Sequence, residues 1–191
     1  GFFQGFTVVD VTNPEQPVIL AQQPATQAAI HDLAENGSGV LAAITSFGGT
    51  GSLGFSLYDV RSGTTTTNFL TTLATPGDPF AVVLHRGLAY VADGPGGLQV
   101  IRYLAEDRAR QLPSIGFGPP LTAERTLELG STPLLTFSTG DDVQVRDVVL
   151  FVDDLPVATA GTFPFQIPVA VNTPGDGRTN VVLRARATDT G

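Results

Sequence analysis

The chain has 191 residues and a net charge of −8, with ten arginines and no lysine, and 42% hydrophobic against 15% charged residues. That balance excludes a disordered polymer, which needs high charge and little to bury. Its acidic surface repels phosphate backbones, so nucleic acid is not an expected partner.

Cysteine is absent, which removes disulfides, thiolate metal sites and thiol nucleophiles. No run of about 18 apolar residues is present, so membrane insertion is not expected of this segment. The 22 glycines and 14 prolines favour short strands and turns over long helices. The first residue is Gly1, with no charged segment leading into an apolar one behind it, so the chain is expected to begin inside a larger protein or after processing. Residues 1–107 carry three arginines against nine acids and residues 108–191 seven against nine, so the acidity is concentrated in the first part.

Three segments of that first part align without gaps: Gly5-FTVVDV, Gly54-FSLYDV and Gly97-LQVIRY, 49 and 43 residues apart. A second landmark, Gly39-VLAAI, returns 48 residues later as Gly87-LAYVA, and each copy follows an apolar run, Ala28-AIHDLA or Phe80-AVVLH. Asn36-Gly37 and Arg86-Gly87 stand where a tight hairpin needs positive φ, which glycine supplies at little steric cost. Three or four strand-length runs per period of about 40 to 50 residues are the mark of propeller blades. Helix-pair solenoids share the period, but Thr64 to Thr67 and the β-branched runs make poor helices.

Leu88-AYVADG with Gly97-LQVI, and Phe6-TVVDVTNP with Pro17-VIL, resemble the bacterial repeats named after their Leu-Val-Ile-Val-Asp core (LVIVD repeats). The resemblance covers about residues 5–104 and implies a β-propeller. The middle copy, Ser46-FGGTGSLG, lacks the Asp found at Asp93, and Arg102 replaces the Asp of Asp10 and Asp59. Residues 1–107 hold about two to three blades, whereas closed propellers need about four to eight, so a partial propeller from a longer polypeptide is expected.

After Tyr103 the repeat ends. Leu104-AEDRARQLP reads as a linker or one helical turn, and strand-like runs follow at Pro133-LLTFS, Val143 to Val152, Leu155-PVATA, Phe165-QIPVAV and Asn180-VVLRARAT. Val148, Leu150 and Val152 alternate with Val149 and Phe151. Leu183, Ala185 and Ala187 alternate with Arg184, Arg186 and Thr188, a half-buried strand showing its arginines to water. Asp153-Asp154 stands where a two-residue hairpin turn would sit. Asp141-DVQVRDVVLFVDDLPVATAGTFPFQI with Val181-VLRARATDTG is similar to the bacterial immunoglobulin-like domains of secreted and surface proteins. The similarity, over about residues 113–191, implies a β-sandwich in which another strand follows the ATDTG element, so this one is expected to lack its last strand. The fold class expected is all-β: a propeller fragment over 1–107 and an immunoglobulin-like sandwich over 108–191.

Motifs of known chemistry have plainer readings. Gly49-TGSLG matches G-x-G-x-x-G, but a strand follows it where a dinucleotide site needs a helix N-terminus. His31 and His85 hold similar places in successive repeats. They could line a propeller axis as metal ligands or bases, but strand-end positions satisfied by backbone are the favoured reading. Asp141 and Asp142, with Asp176 or Asp189, could gather around calcium, but turn duty is favoured. Asn36-GS is a formal glycan acceptor that the hairpin explains, and Thr64 to Thr67 could be an O-glycan tract or follow from β-propensity. No catalytic, cofactor or metal residue is assigned. The expectation is a non-catalytic binding, adhesive or structural region of a large secreted or cell-surface bacterial protein, recognising a protein or carbohydrate surface. The alternatives are a propeller hydrolase or lyase with its site in other blades, and a calcium-stabilised adhesion module.

Overall fold

The computed structural model describes residues 5–22, 30–45, 54–104, 107–119, 126–172, 177 and 179–190. Tertiary contacts divide the chain into two units, residues 1–84 with 88–103, and residues 85–87 with 104–191. Both are all-β, and the only helix among the described residues is the 3-10 turn Gly94–Gly96.

The first unit contains three antiparallel sheets. One pairs β1 (Thr7–Asp10) with β2 (Val18–Gln22). The second is a four-stranded meander of β3 (Ile30–Glu35), β4 (Val40–Thr45), β5 (Gly54–Asp59) and β6 (Phe69–Ala74). The third runs β7 (Ala81–His85), β8 (Leu88–Ala92) and β9 (Leu98–Ile101). The segments that align in sequence take matching places: β1, β5 and β9 are one strand of the pattern, β4 and β8 another, and β3 and β7 a third. The place of a fourth strand in the third sheet, 43 residues beyond β6, falls at 112–117. There Pro113 removes a ladder donor, and Ser114–Phe117 instead forms β10 of the second unit.

The middle sheet is covered on both faces, which is why β4 and β5 read as near-continuous apolar runs. On one face Ala42, Ile44, Phe55 and Leu57 pack with Val82, Leu84, Ala89 and Val91 of the third sheet. On the other, Tyr58 stands edge-on to Phe6, 5.3 Å between ring centroids, and to Phe69 at 5.6 Å. Polar side chains within this sheet are bonded, Thr45 Oγ1 donating to the Gly54 carbonyl at 3.2 Å and Ser56 Oγ to Thr72 Oγ1 at 3.0 Å. Two carboxylates tie the unit together across long sequence gaps. Asp32 Oδ2 accepts the Val82 N–H at 2.8 Å, linking the second and third sheets. The wholly buried Asp93 accepts the Gly77 N–H at 2.9 Å.

The second unit contains two three-stranded antiparallel sheets. One orders β10 with β11 (Leu134–Gly140) and a short strand Gln166–Pro168. The other orders a strand Leu155–Ala160, a strand Val145–Val152 and a strand Leu183–Asp189. In chain order these are β12 (Val145–Val152), β13 (Leu155–Ala160), β14 (Gln166–Pro168) and β15 (Leu183–Asp189). Leu135 and Phe137, Val145, Val148 and Leu150, and Phe165 and Ile167 bring both sheets into one core. Asp153 and Asp154 join β12 to β13 with φ of 47° and 68°, the two positive values of a type I′ hairpin turn that the sequence led us to expect.

Several elements differ from the sequence reading. Thr64 to Thr67 do not form strand. They lie in the β5–β6 loop, with Thr66 buried and the hydroxyls of Thr65 and Thr67 paired at 2.9 Å, because side-chain bonding competes with the ladder. β10 was not anticipated, since Gly116, Gly118 and Pro119 mask its apolar alternation. The run Phe165-QIPVAV is regular strand only over β14, although Val169 and Val171 still donate to the Pro133 and Ser131 carbonyls. In the linker, the described residues form no helical turn, and Asp107 Oδ1 accepts the Arg110 N–H at 2.8 Å.

Candidate interaction surface

The residues singled out for chemistry are used mainly in turns. Asp141 Oδ2 accepts the Val143 and Gln144 N–H groups at 3.2 and 2.7 Å, a turn role. Asp142 is exposed, Asp189 pairs with Val145 in the β12–β15 ladder, and Asp176 lies outside the described residues. Among the described residues, no three His, Asp or Glu side chains are grouped to hold a metal ion. His31 is exposed on β3 of the first unit. His85 is exposed and belongs to the second unit, with its Nδ1 3.1 Å from Thr162 Oγ1. Residues 49–53 of the glycine motif lie outside the described residues, and its last glycine, Gly54, opens a strand. Asn36 is buried, its Oδ1 accepting the Ser38 and Val40 N–H groups at 2.8 and 3.0 Å, and its Nδ2 is enclosed, which fits a turn and not a glycan.

The outer face of the β13–β12–β15 sheet is organised differently. Alternation along β12 sends Val148 and Leu150 into the core and leaves Val149 and Phe151 on the opposite face. In β15 Leu183, Ala185 and Ala187 pack on the core, so Arg184 and Arg186 stand out beside them. Register sets Val149 opposite Arg186 and Phe151 opposite Arg184, and the diagonal brings the Arg186 guanidinium 5.6 Å from the Phe151 ring centroid. That is cation–π range, and such stacking holds a long side chain in one place. Arg184 pairs with the exposed carboxylate of Asp154 at the hairpin turn. Thr159 of β13 lies across from Val149 on the same face. Arg184 and Arg186 are two residues apart on one strand, so their Cα atoms stand about 7 Å apart along it. Planar guanidinium forks suit carboxylate or sulfate groups.

Comparison with family models, with curated proteins and with solved structures found no match to this chain. Period-2 alternation in β15 signals the outward arginines from sequence. The stacking on Phe151 depends on the β12–β15 register, 35 residues apart in the chain, and carries no local signal.

Proposed function

We propose that the chain is a non-catalytic binding or adhesive region of a large secreted or cell-surface bacterial protein. In this reading the first unit is part of a propeller of the LVIVD-repeat kind and the second an immunoglobulin-like sandwich. The repeated strand pattern of the first unit supports the former, and two sheets around one core support the latter. The observation that carries the binding role is the ordered arginine and aromatic face on a rigid sheet: Arg186 over Phe151, with Arg184 beside it. Its partner is a protein or carbohydrate surface carrying carboxylate or sulfate groups, which an otherwise acidic chain would repel elsewhere.

The test is saturable binding of the labelled chain to arrays of acidic and neutral polysaccharides and of extracellular proteins. Binding to an acidic member, weakened by salt and by Arg184→Ser with Arg186→Ser at unchanged folding, supports the reading. Absence of saturable binding, or binding indifferent to both arginines, refutes it. Turnover of any arrayed polymer would remove the non-catalytic claim.

A further inference from the structure

The turn between β12 and β13 holds one side chain that its backbone does not require. Both central positions have positive φ, 47° at Asp153 and 68° at Asp154, and glycine is the favoured residue at the second of them. Asp153 serves the turn, its Oδ1 accepting the Val182 N–H at 2.9 Å. Among the described residues, the Asp154 carboxylate is engaged elsewhere, in an ion pair with Arg184 of the arginine face. Both side chains stay open to solvent, 74% exposed at Asp154 and 62% at Arg184, and a pair so exposed contributes little to stability. Its effect falls on the arginine more than on the fold.

The two arginines are thereby put in different states. The Arg186 guanidinium lies 5.6 Å from the Phe151 ring centroid, a contact that orders it without neutralising its charge. Arg184 has its charge met within the chain by a carboxylate, the same group that its guanidinium fork would take from a partner. The occupant seen at Arg184 is thus an aspartate carried on an exposed protein turn.

We infer that Asp154 is an internal competitor at the arginine face, holding Arg184 until a carboxylate of an acidic polypeptide segment displaces it, while Arg186 supplies the standing contact. The inference rests on the proposed binding role of that face and sharpens it: the partner is a protein, and the group recognised is a carboxylate. Asp154 then sets the threshold for binding, since a partner must offer Arg184 more than the turn already does. Because exposed ion pairs are weak, the threshold is low, and removing it should tighten binding about two- to fivefold.

Calorimetric titration of the whole chain with poly-L-aspartate, and separately with polygalacturonate, tests this. Asp154→Asn keeps a residue that tolerates positive φ and removes the charge, and Asp154→Gly removes the side chain as well; circular dichroism with a thermal melt checks that each folds. Both variants are expected to bind poly-L-aspartate about two- to fivefold more tightly than the wild type. Asp142→Asn, which removes the same charge from an exposed position before the start of β12, should leave the affinity unchanged. Arg184→Ser should weaken binding, and Asp154→Asn added to it should recover nothing. Affinity unaltered in both Asp154 variants while Arg184→Ser weakens binding would overturn the inference and leave the arginine face as the binding site. An equal gain from Asp142→Asn, or a gain that persists without Arg184, would overturn it as well, since charge alone would then explain the effect. Saturable binding of polygalacturonate with none of poly-L-aspartate would overturn the polypeptide partner. Binding indifferent to both arginines would instead overturn the role of the face itself.

Discussion

At the scale of single residues, the repeat extends to side-chain chemistry. Asp10 Oδ1 accepts the Thr12 N–H at 2.9 Å, and Asp59 Oδ1, 49 residues on, accepts the Arg61 N–H at 3.0 Å. The backbone bond holds the Asp10 carboxyl below its ordinary value. For Asp59 the Arg61 side chain acts first and the backbone bond second, and together they bring it from 3.8 to about 2. A carboxyl lowered by folding stabilises the fold above its unfolded value and loses that contribution as pH falls through the folded one. The Asp59 turn therefore contributes above about pH 4 and has lost its contribution by about pH 2, a small effect because the pair is exposed and screened. An NMR titration should give Asp59 a midpoint of about 2, and Arg61→Ala should move it toward 3.8 without reaching it, since the backbone donor stays. A midpoint unmoved by that substitution would deny the guanidinium its part. Arg102 stands where a third such carboxylate would be, so this turn is missing where the chain leaves the repeat. Asp93 works differently: it is enclosed, and its Oδ2 accepts the Gly77 N–H. Asp93→Ala strands that donor and should cost about 1–3 kcal/mol in urea unfolding, whereas loss of an exposed turn acceptor costs less.

At the scale of elements, the β12–β13 hairpin separates two effects that neighbouring residues share. Asp153 and Asp154 both have positive φ, a conformation that glycine adopts without the Cβ penalty. Asp153 also accepts the Val182 N–H through Oδ1 at 2.9 Å, and its own N–H donates to the Val182 carbonyl at 2.9 Å. Among the described residues, Asp154 makes an exposed ion pair with Arg184. Asp154→Gly should therefore raise stability by about 0.5–1 kcal/mol, while Asp153→Gly should lower it or leave it level. Equal gains from both substitutions in chemical denaturation would show that the Val182 bond contributes nothing. This turn was legible in the sequence because its chemistry is local: two αL-tolerant residues interrupt an apolar alternation. The aligned segments of the first unit were legible for the same reason, as Gly5, Gly54 and Gly97 mark strand starts directly. β10 was not, because its partner β11 lies far along the chain and its own glycines hide the pattern. The arginines of β15 could be placed outward by alternation, but Phe151 could not be assigned beneath Arg186 without the ladder that aligns them. The threonines of the β5–β6 loop misled, since their propensity for strand is overridden by hydroxyl bonding within the loop.

At the scale of the whole molecule, the two units keep separate cores. Ala42, Ile44, Phe55 and Leu57 belong to one that includes Val82, Leu84, Ala89 and Val91, and Leu150 belongs to another with Leu135, Phe137, Val148 and Phe165. No residue is common to both, so a cavity made in one removes packing from that unit alone. Ile44 and Leu150 are each fully buried, and truncating either to alanine should cost about 2–5 kcal/mol. Without shared neighbours the two losses should add to within about 0.5 kcal/mol in the double variant. Hydrogen exchange makes the consequence spatial. In the native chain β4 and β5, covered on both faces, should exchange among the slowest amides of the first unit, and β1 and β2, whose outer face is open, among the fastest. Leu150→Ala should speed exchange in β11, β12, β14 and β15 while β4 and β5 keep their native rates. If both units lost protection together, their stabilities would be one cooperative quantity, and the separateness of their cores would have no thermodynamic counterpart.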